Sequence, residues 1–170
     1  MHTNPDPQVR DAGAHDAPAV AAIYSHYVLT TPISMETEPV DGAELARRMA
    51  EVQALDLPWI VLEEAGRLLG WAYASKWRAR PGYRHAVETT VYLAPEACGR
   101  GHGSLLYGEL LARLRGRYHC AIGGIALPNP ASVALHERLG FRQVARFEQV
   151  GHKFGAWVDV GYWQLLLPAN

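Results

Sequence analysis

Side chains able to do chemistry gather in a few stretches. In VETTVYL, Val87 to Leu93, alternation sets Glu88, Thr90 and Tyr92 on one face of a strand. A carboxylate so placed is either a proton acceptor or a buried glutamate neutralised by a nearby arginine. The strand leads into Cys98-Gly99-Arg100-Gly101-His102-Gly103-Ser104, which opens a leucine-rich segment. Glycines let a backbone take positive φ and approach a ligand closely. Free amides at a helix start favour a phosphate; the alternative is a connector that binds nothing. The loop is not a Walker motif, because no Gly-Lys-Ser/Thr follows. Its glycines also lie too close together for a dinucleotide fingerprint. In WRARPGY, Arg78 and Arg80 flank Ala79. Two guanidinium forks suit a carboxylate and a tetrahedral, anionic or strongly polar group; the bland account is a solvated loop. Ser132 and His136, four apart, share a helix face.

Regular elements must hold these groups. Gln8 to Ala12 reads as a first strand, and Asp16 with Pro18 as a capped helix start running to about Val28. Asp41 caps a second helix through ELARRMAEV. WIVLEE and LLGWAYASKW form a hairpin across Ala65-Gly66-Arg67. The strand carrying Glu88 follows, then a helix from His102 to Arg115 with Leu106, Leu110 and Leu114 on one side. Tyr118 to Leu127 is a buried strand and Asn129 to Gly140 a short helix. Asn129 caps that helix and Gly140 closes it. Phe141–Val150 and Trp157–Leu167 are the last strands. The order β-α-α-β-β-β-α-β-α-β-β predicts a mixed α/β fold around one central sheet. Trp77 and Trp157 are expected to pack in the interior.

At 170 residues and 49% hydrophobic content, the chain suits one packed domain over 1–170, with 1–7 as a flexible leader. Its 16 basic and 17 acidic residues nearly cancel, so no global field recruits nucleic acid or an anionic membrane. MHTNPDPQVRDAGAHD lacks the order of a signal peptide. No apolar run approaches the roughly 20 residues that span a bilayer. Cys98 and Cys120 form neither a disulfide framework nor a metal-ligand spacing, so no metal is expected. The reading is a soluble cytoplasmic protein with reduced thiols.

The glycine loop resembles the signature of the GNAT superfamily of acyl-CoA-dependent N-acetyltransferases, Arg/Gln-x-x-Gly-x-Gly/Ala. Gly101 and Gly103 match, while Cys98 stands at the first position. Longer stretches narrow the resemblance: ISMETEP, WRARPGY, VETTVYL, LPNPASVALHERLGF and GHKFGAWVDVGYWQ are similar to phosphinothricin and methionine sulfoximine N-acetyltransferases, from about Val9 to Leu167. Met35 departs where an aromatic residue often stands, and Arg78 where some members carry lysine. The resemblance implies a mixed, mostly antiparallel sheet of about seven strands, splayed at the fourth and fifth, with about four helices. It also implies acetyl-CoA as co-substrate, a small amino acid as acceptor, and a homodimer.

Residue by residue, the resemblance implies Glu88 as the base, acting directly or through water. It places the diphosphate on Gly99, Arg100, Gly101, His102, Gly103 and Ser104, and the thioester on the amides of Val91, Tyr92 and Leu93. Asn129 and Ser132 border the pantetheine arm. His136 stands where a tyrosine commonly protonates the departing thiolate; it either does that work or only positions its neighbours. Arg78, Ala79, Arg80, Tyr83, Thr89 and Thr90 surround the acceptor with Glu88, and Met35 and Glu36 close the pocket. Rival readings are another small amine or a protein N-terminus as acceptor, or a non-catalytic acyl-CoA-binding regulatory domain. In direct transfer Cys98 carries no acyl group, since no partner base stands beside it. Cys98→Ala is therefore expected to retain most turnover in a steady-state assay, and near-complete loss would count against direct transfer.

Overall fold

The computed structural model describes residues 6–168. Most of the expected leader lies outside them. Along the chain run β1 (Gln8–Asp11), α1 (Ala17–Thr30), α2 (Gly42–Ala54), β2 (Trp59–Glu64), β3 (Arg67–Lys76) and β4 (Ala86–Leu93). Then come α3 (His102–Leu114), β5 (Cys120–Leu127), α4 (Pro130–Arg138), β6 (Arg142–Lys153) and β7 (Ala156–Leu166). One sheet takes the order β1-β2-β3-β4-β5-β7-β6. Its pairs are antiparallel except β4 with β5, which is parallel.

Strand alternation divides the core between the two faces. Trp59, Val61 and Trp71 join α1 and α2 through Val20, Leu45 and Met49. Ile60, Leu62, Ala72, Ala74 and Val87 turn the other way, onto Leu106, Leu110 and Leu114 of α3. β2 is thus covered on both faces, which explains its unbroken apolar start. The three α3 leucines are fully buried, and each contributes about 1.5–3 kcal/mol over an exposed position.

The pairing of β4 decides the site. Against β3 it is continuous from Val87 to Leu93. Against β5 it consists of Ala86–Cys120, Val87–Ala121 and Glu88–Ile122, and then the strands part. This is the splay the sequence reading anticipated, and Glu88 stands at its apex.

Some local readings need correction. Asp16 does not cap α1: it has helical dihedrals and makes no capping bond. A 3-10 turn, Ala14–Asp16, precedes the helix. The Asp16 carboxylate instead accepts two 2.8 Å bonds from Arg10 and one of 2.9 Å from the Gly13 amide. Charge-assisted pairing with a guanidinium outcompetes a neutral cap. Asp41 does cap α2, accepting from the Glu44 amide at 2.8 Å. β6 runs past Val150 to Lys153, because a bulge at Phe147–Gly151, with Gln149 at φ 52°, restores pairing to β7. Trp157 is 64% exposed, with its ring against His152, and is no core residue. Trp77 is half-buried against Tyr162. Among the described residues no helix is long and apolar enough to cross a membrane.

Candidate active site

Where β4 and β5 part, a cleft of about 620 Å³ opens. The sheet supplies Glu88 and Leu93, the glycine loop Gly99 and Gly101, and α4 Ser132 and His136. Gly99 and Gly101 have φ of +76° and +82°, and nothing stands within 4 Å of a Cβ built on either. Glycine is needed there for backbone conformation, and the space above stays open. The first backbone bond of α3 runs from the Leu105 amide to the Gly101 carbonyl (3.1 Å), with no side-chain cap. The amides of His102, Gly103 and Ser104 therefore remain at an open helix end, which favours an anion. Arg138 also lines the cleft, its Nη1 3.5 Å from the Ser104 hydroxyl. This donor set fits a diphosphate.

On the α1/α2 side a second cavity, about 680 Å³, is walled by Trp59, Trp71, Tyr73 and Val52. Ile33, Thr90 and Tyr92 line both spaces, so the two adjoin. Ser75, the cross-strand partner of Glu88, also lines the second cavity. Glu88 thus stands on the face that looks into the second cavity while lining the first.

Burial raises the Glu88 carboxyl above the usual carboxylate range, and the positive charge of Arg78 partly offsets the shift. Gly124 lies beside the carboxylate: a Cβ there would make ordinary contact with Glu88 Oε1 at 3.6 Å and press on the Tyr162 ring at 3.2 Å.

Behind the cleft runs a buried hydroxyl chain. His136 Nδ1 lies 2.8 Å from the Ser132 carbonyl, and Nε2 lies 3.1 Å from the Tyr107 hydroxyl. Tyr107 lies 2.7 Å from the Thr89 hydroxyl. Burial lowers the His136 pKa, so the ring is neutral. A neutral ring carries one N–H, and the carbonyl can only accept, so Nδ1–H donates to Ser132. Tyr107 then donates to Nε2 and accepts from Thr89. Gly123 makes room, since a Cβ there would fall 2.4 Å from His136 Nε2.

The loop between α1 and α2 is pinned from β6. Lys153 is buried, and its ammonium donates to the Ser34 carbonyl at 2.7 Å. Next to it, a Cβ on Gly151 would meet Met35 Sδ at 2.5 Å, so the thioether fills the space glycine leaves. Arg48 reaches Glu36 of the same loop at 2.6 Å.

The Acetyltransferase (GNAT) family pattern matches residues 20–141. This chain belongs to the GNAT acetyltransferase family. It is an acyltransferase, and its relatives are named N-acetyltransferases. A Streptomyces coelicolor phosphinothricin N-acetyltransferase is 41% identical, over 92% of this chain and 94% of its own. A Salmonella typhimurium L-methionine sulfoximine/L-methionine sulfone acetyltransferase is 38% identical, over 95% of both. Among solved structures, a Sinorhizobium meliloti GNAT phosphinothricin acetyltransferase in complex with acetyl-CoA superposes with TM-score 0.91 and 36% identity, covering 95% of this chain and 88% of that one.

In this GNAT acetyltransferase the two spaces gather many of the sequence-derived candidates. Glu88, Val91, Tyr92, Leu93, Gly99, Gly101, Gly103, Ser104, Asn129, Ser132 and His136 line the cleft; Met35, Glu36 and Thr90 line the second cavity. The remaining candidates are placed differently. The His102 ring is buried beneath the glycine loop, 3.1 Å from the Ala97 carbonyl, and Arg100 points outward. Thr89 also lines the cleft, but its hydroxyl is engaged by Tyr107 of α3. Arg78, Ala79, Arg80 and Tyr83 are exposed and line neither space, with Arg78 lying 4.0 Å over the Trp77 ring. Cys98 is exposed, and its amide donates to the Pro95 carbonyl, so the open nest begins after it.

Sequence reasoning missed Arg138, Tyr107, Gly123 and Lys153. Arg138 was accessible by spacing: it shares a helix face with Ala131 and Leu135, which also line the cleft. Nothing local marks the others, whose partners are distant in the chain. Lys153→Met removes a charge-assisted bond to the loop, and limited proteolysis between residues 31 and 39 is expected to quicken roughly tenfold or more. An unchanged cleavage rate would show that other contacts hold the loop.

Proposed function

We propose that this enzyme transfers the acetyl group of acetyl-CoA to the α-amino group of a small amino acid, such as phosphinothricin or methionine sulfoximine or sulfone, directly within a ternary complex. One observation carries the reading: a carboxylate whose pKa burial raises stands at the junction of a phosphate-compatible cleft and a second, aromatic-walled cavity. Named relatives and the acetyl-CoA complex of a solved neighbour support it.

An α-amino group, with a pKa of about 8, is largely protonated near neutrality and must become neutral to attack. Glu88 accepts its proton, directly or through water. The nitrogen attacks the thioester carbonyl carbon, the C–N bond forms, and the C–S bond breaks to release the thiolate. Amides of β4 between Val91 and Leu93, on the edge that β5 has left, donate to the carbonyl oxygen as negative charge builds there. Ser104, Arg138 and the α3 amides hold the diphosphate. Arg78 and Arg80, at the rim, meet the substrate carboxylate.

His136 acts here as a positioning residue. Both its nitrogens are engaged, and giving up its proton would break the bond to Ser132. The thiolate is then neutralised by water or by the proton lost from the amine. The enzyme works in the cytoplasm, where its acyl donor is made, and acetylation there disarms a toxic amino acid. A second copy of the chain covers the exposed apolar face of β6 and β7, where Phe147, Val150, Phe154 and Trp157 stand more than half exposed; a monomer in sedimentation at micromolar concentration would remove that part of the reading.

Because burial raises the Glu88 pKa, the acidic limb of kcat/KM is expected above the ordinary carboxylate range, with activity lost as pH falls through it and the base takes up a proton. Glu88→Gln should lower kcat roughly 100-fold and flatten that limb. An unchanged rate at neutral pH would dismiss Glu88 as the base.

A further inference from the structure

The second cavity is larger than the reacting amine and carboxylate of an amino acid require, and its charges are already matched. Glu36, Arg48 and Glu51 line it. Arg48 is engaged twice, by Glu36 at 2.6 Å and by Glu44 at 2.8 Å. Glu51 pairs with Arg47 outside the cavity. Lys153 approaches from behind the loop, but it is buried on the Ser34 carbonyl and does not line the space. Among the described residues, no cation lining the cavity lacks a carboxylate partner. The remaining wall is aromatic and aliphatic: Trp59 stacks on Tyr73 at 4.1 Å, and Trp71 on Tyr92 at 5.0 Å.

We propose that this cavity receives the side chain of the acceptor amino acid and selects an uncharged, oxygen-bearing group of the sulfone or sulfoximine class over an anionic phosphinate, with Glu36 and Arg48 setting the preference. The inference rests on the proposed amine site and deepens it. An anion entering here meets two carboxylates and an arginine already neutralised, and it loses water without gaining a partner. A sulfonyl or sulfoximine oxygen carries no net charge and is tolerated beside the aromatic wall and the paired Arg48. Arg78 and Arg80 stay outside for the α-carboxylate, so the two anionic groups of phosphinothricin compete for the same rim.

The test compares kcat/KM for methionine sulfone and phosphinothricin with the full-length enzyme and saturating acetyl-CoA. The wild type is expected to favour methionine sulfone by about tenfold or more. Glu36→Gln, which frees part of the Arg48 charge, should shift the ratio toward phosphinothricin by about fivefold or more; Arg48→Gln should shift it by about threefold or more the other way. Equal use of the two amino acids, a preference for phosphinothricin, or a ratio indifferent to both charge changes would overturn the proposal. Failure to acetylate either compound would instead defeat the amine-site reading beneath it.

Discussion

The early end of one parallel strand pairing governs the rest of this molecule. β4 and β5 share register only through Glu88 and Ile122. Beyond that point β4 keeps β3 on one edge and turns its other edge to the cleft. A fully zipped sheet would bury those peptide groups in ladder bonds and leave Glu88 in a closed interior. The opening persists because both strands are secured on their outer sides, β4 by β3 and β5 by β7 along its whole length. It also explains why carboxylate, glycine loop and α4 converge, although they are separated in the chain.

Much of this was legible in the sequence, where periodicity and punctuation carry local information. The leucines of α3, the Asp41 and Asn129 caps and the succession of elements along the chain follow from residue spacing, and the structure has them. The misjudged positions were those where a local rule met a stronger distant partner. Asp16 had the type and place of a cap, but Arg10 claims it. Trp157 had the composition of a core residue, but an edge hairpin carries it into solvent. His102 keeps its amide at the open helix end, while its ring, whose place no local rule gives, packs beneath the loop.

The candidate site divides in the same way. Residues on one strand or one helix turn could be grouped in advance, because alternation and the helical repeat fix their common face. Contacts across elements could not. Tyr107 looks like any aromatic on an apolar helix stripe until Thr89 and His136 are brought to it. Gly123 lies unmarked within the strand read from Tyr118 to Leu127, and only the fold reveals that it admits an imidazole.

The contact between Met35 and Gly151 ties the shape of the second cavity to a strand near the other end of the sequence. A Cβ on Gly151 would overlap the thioether sulfur, so the two sites share a single allotment of volume. Drift toward a bulkier side chain at either one must be matched by retreat at the other. The reach of the cavity can therefore be retuned by paired exchanges that leave Glu88 and the glycine loop untouched.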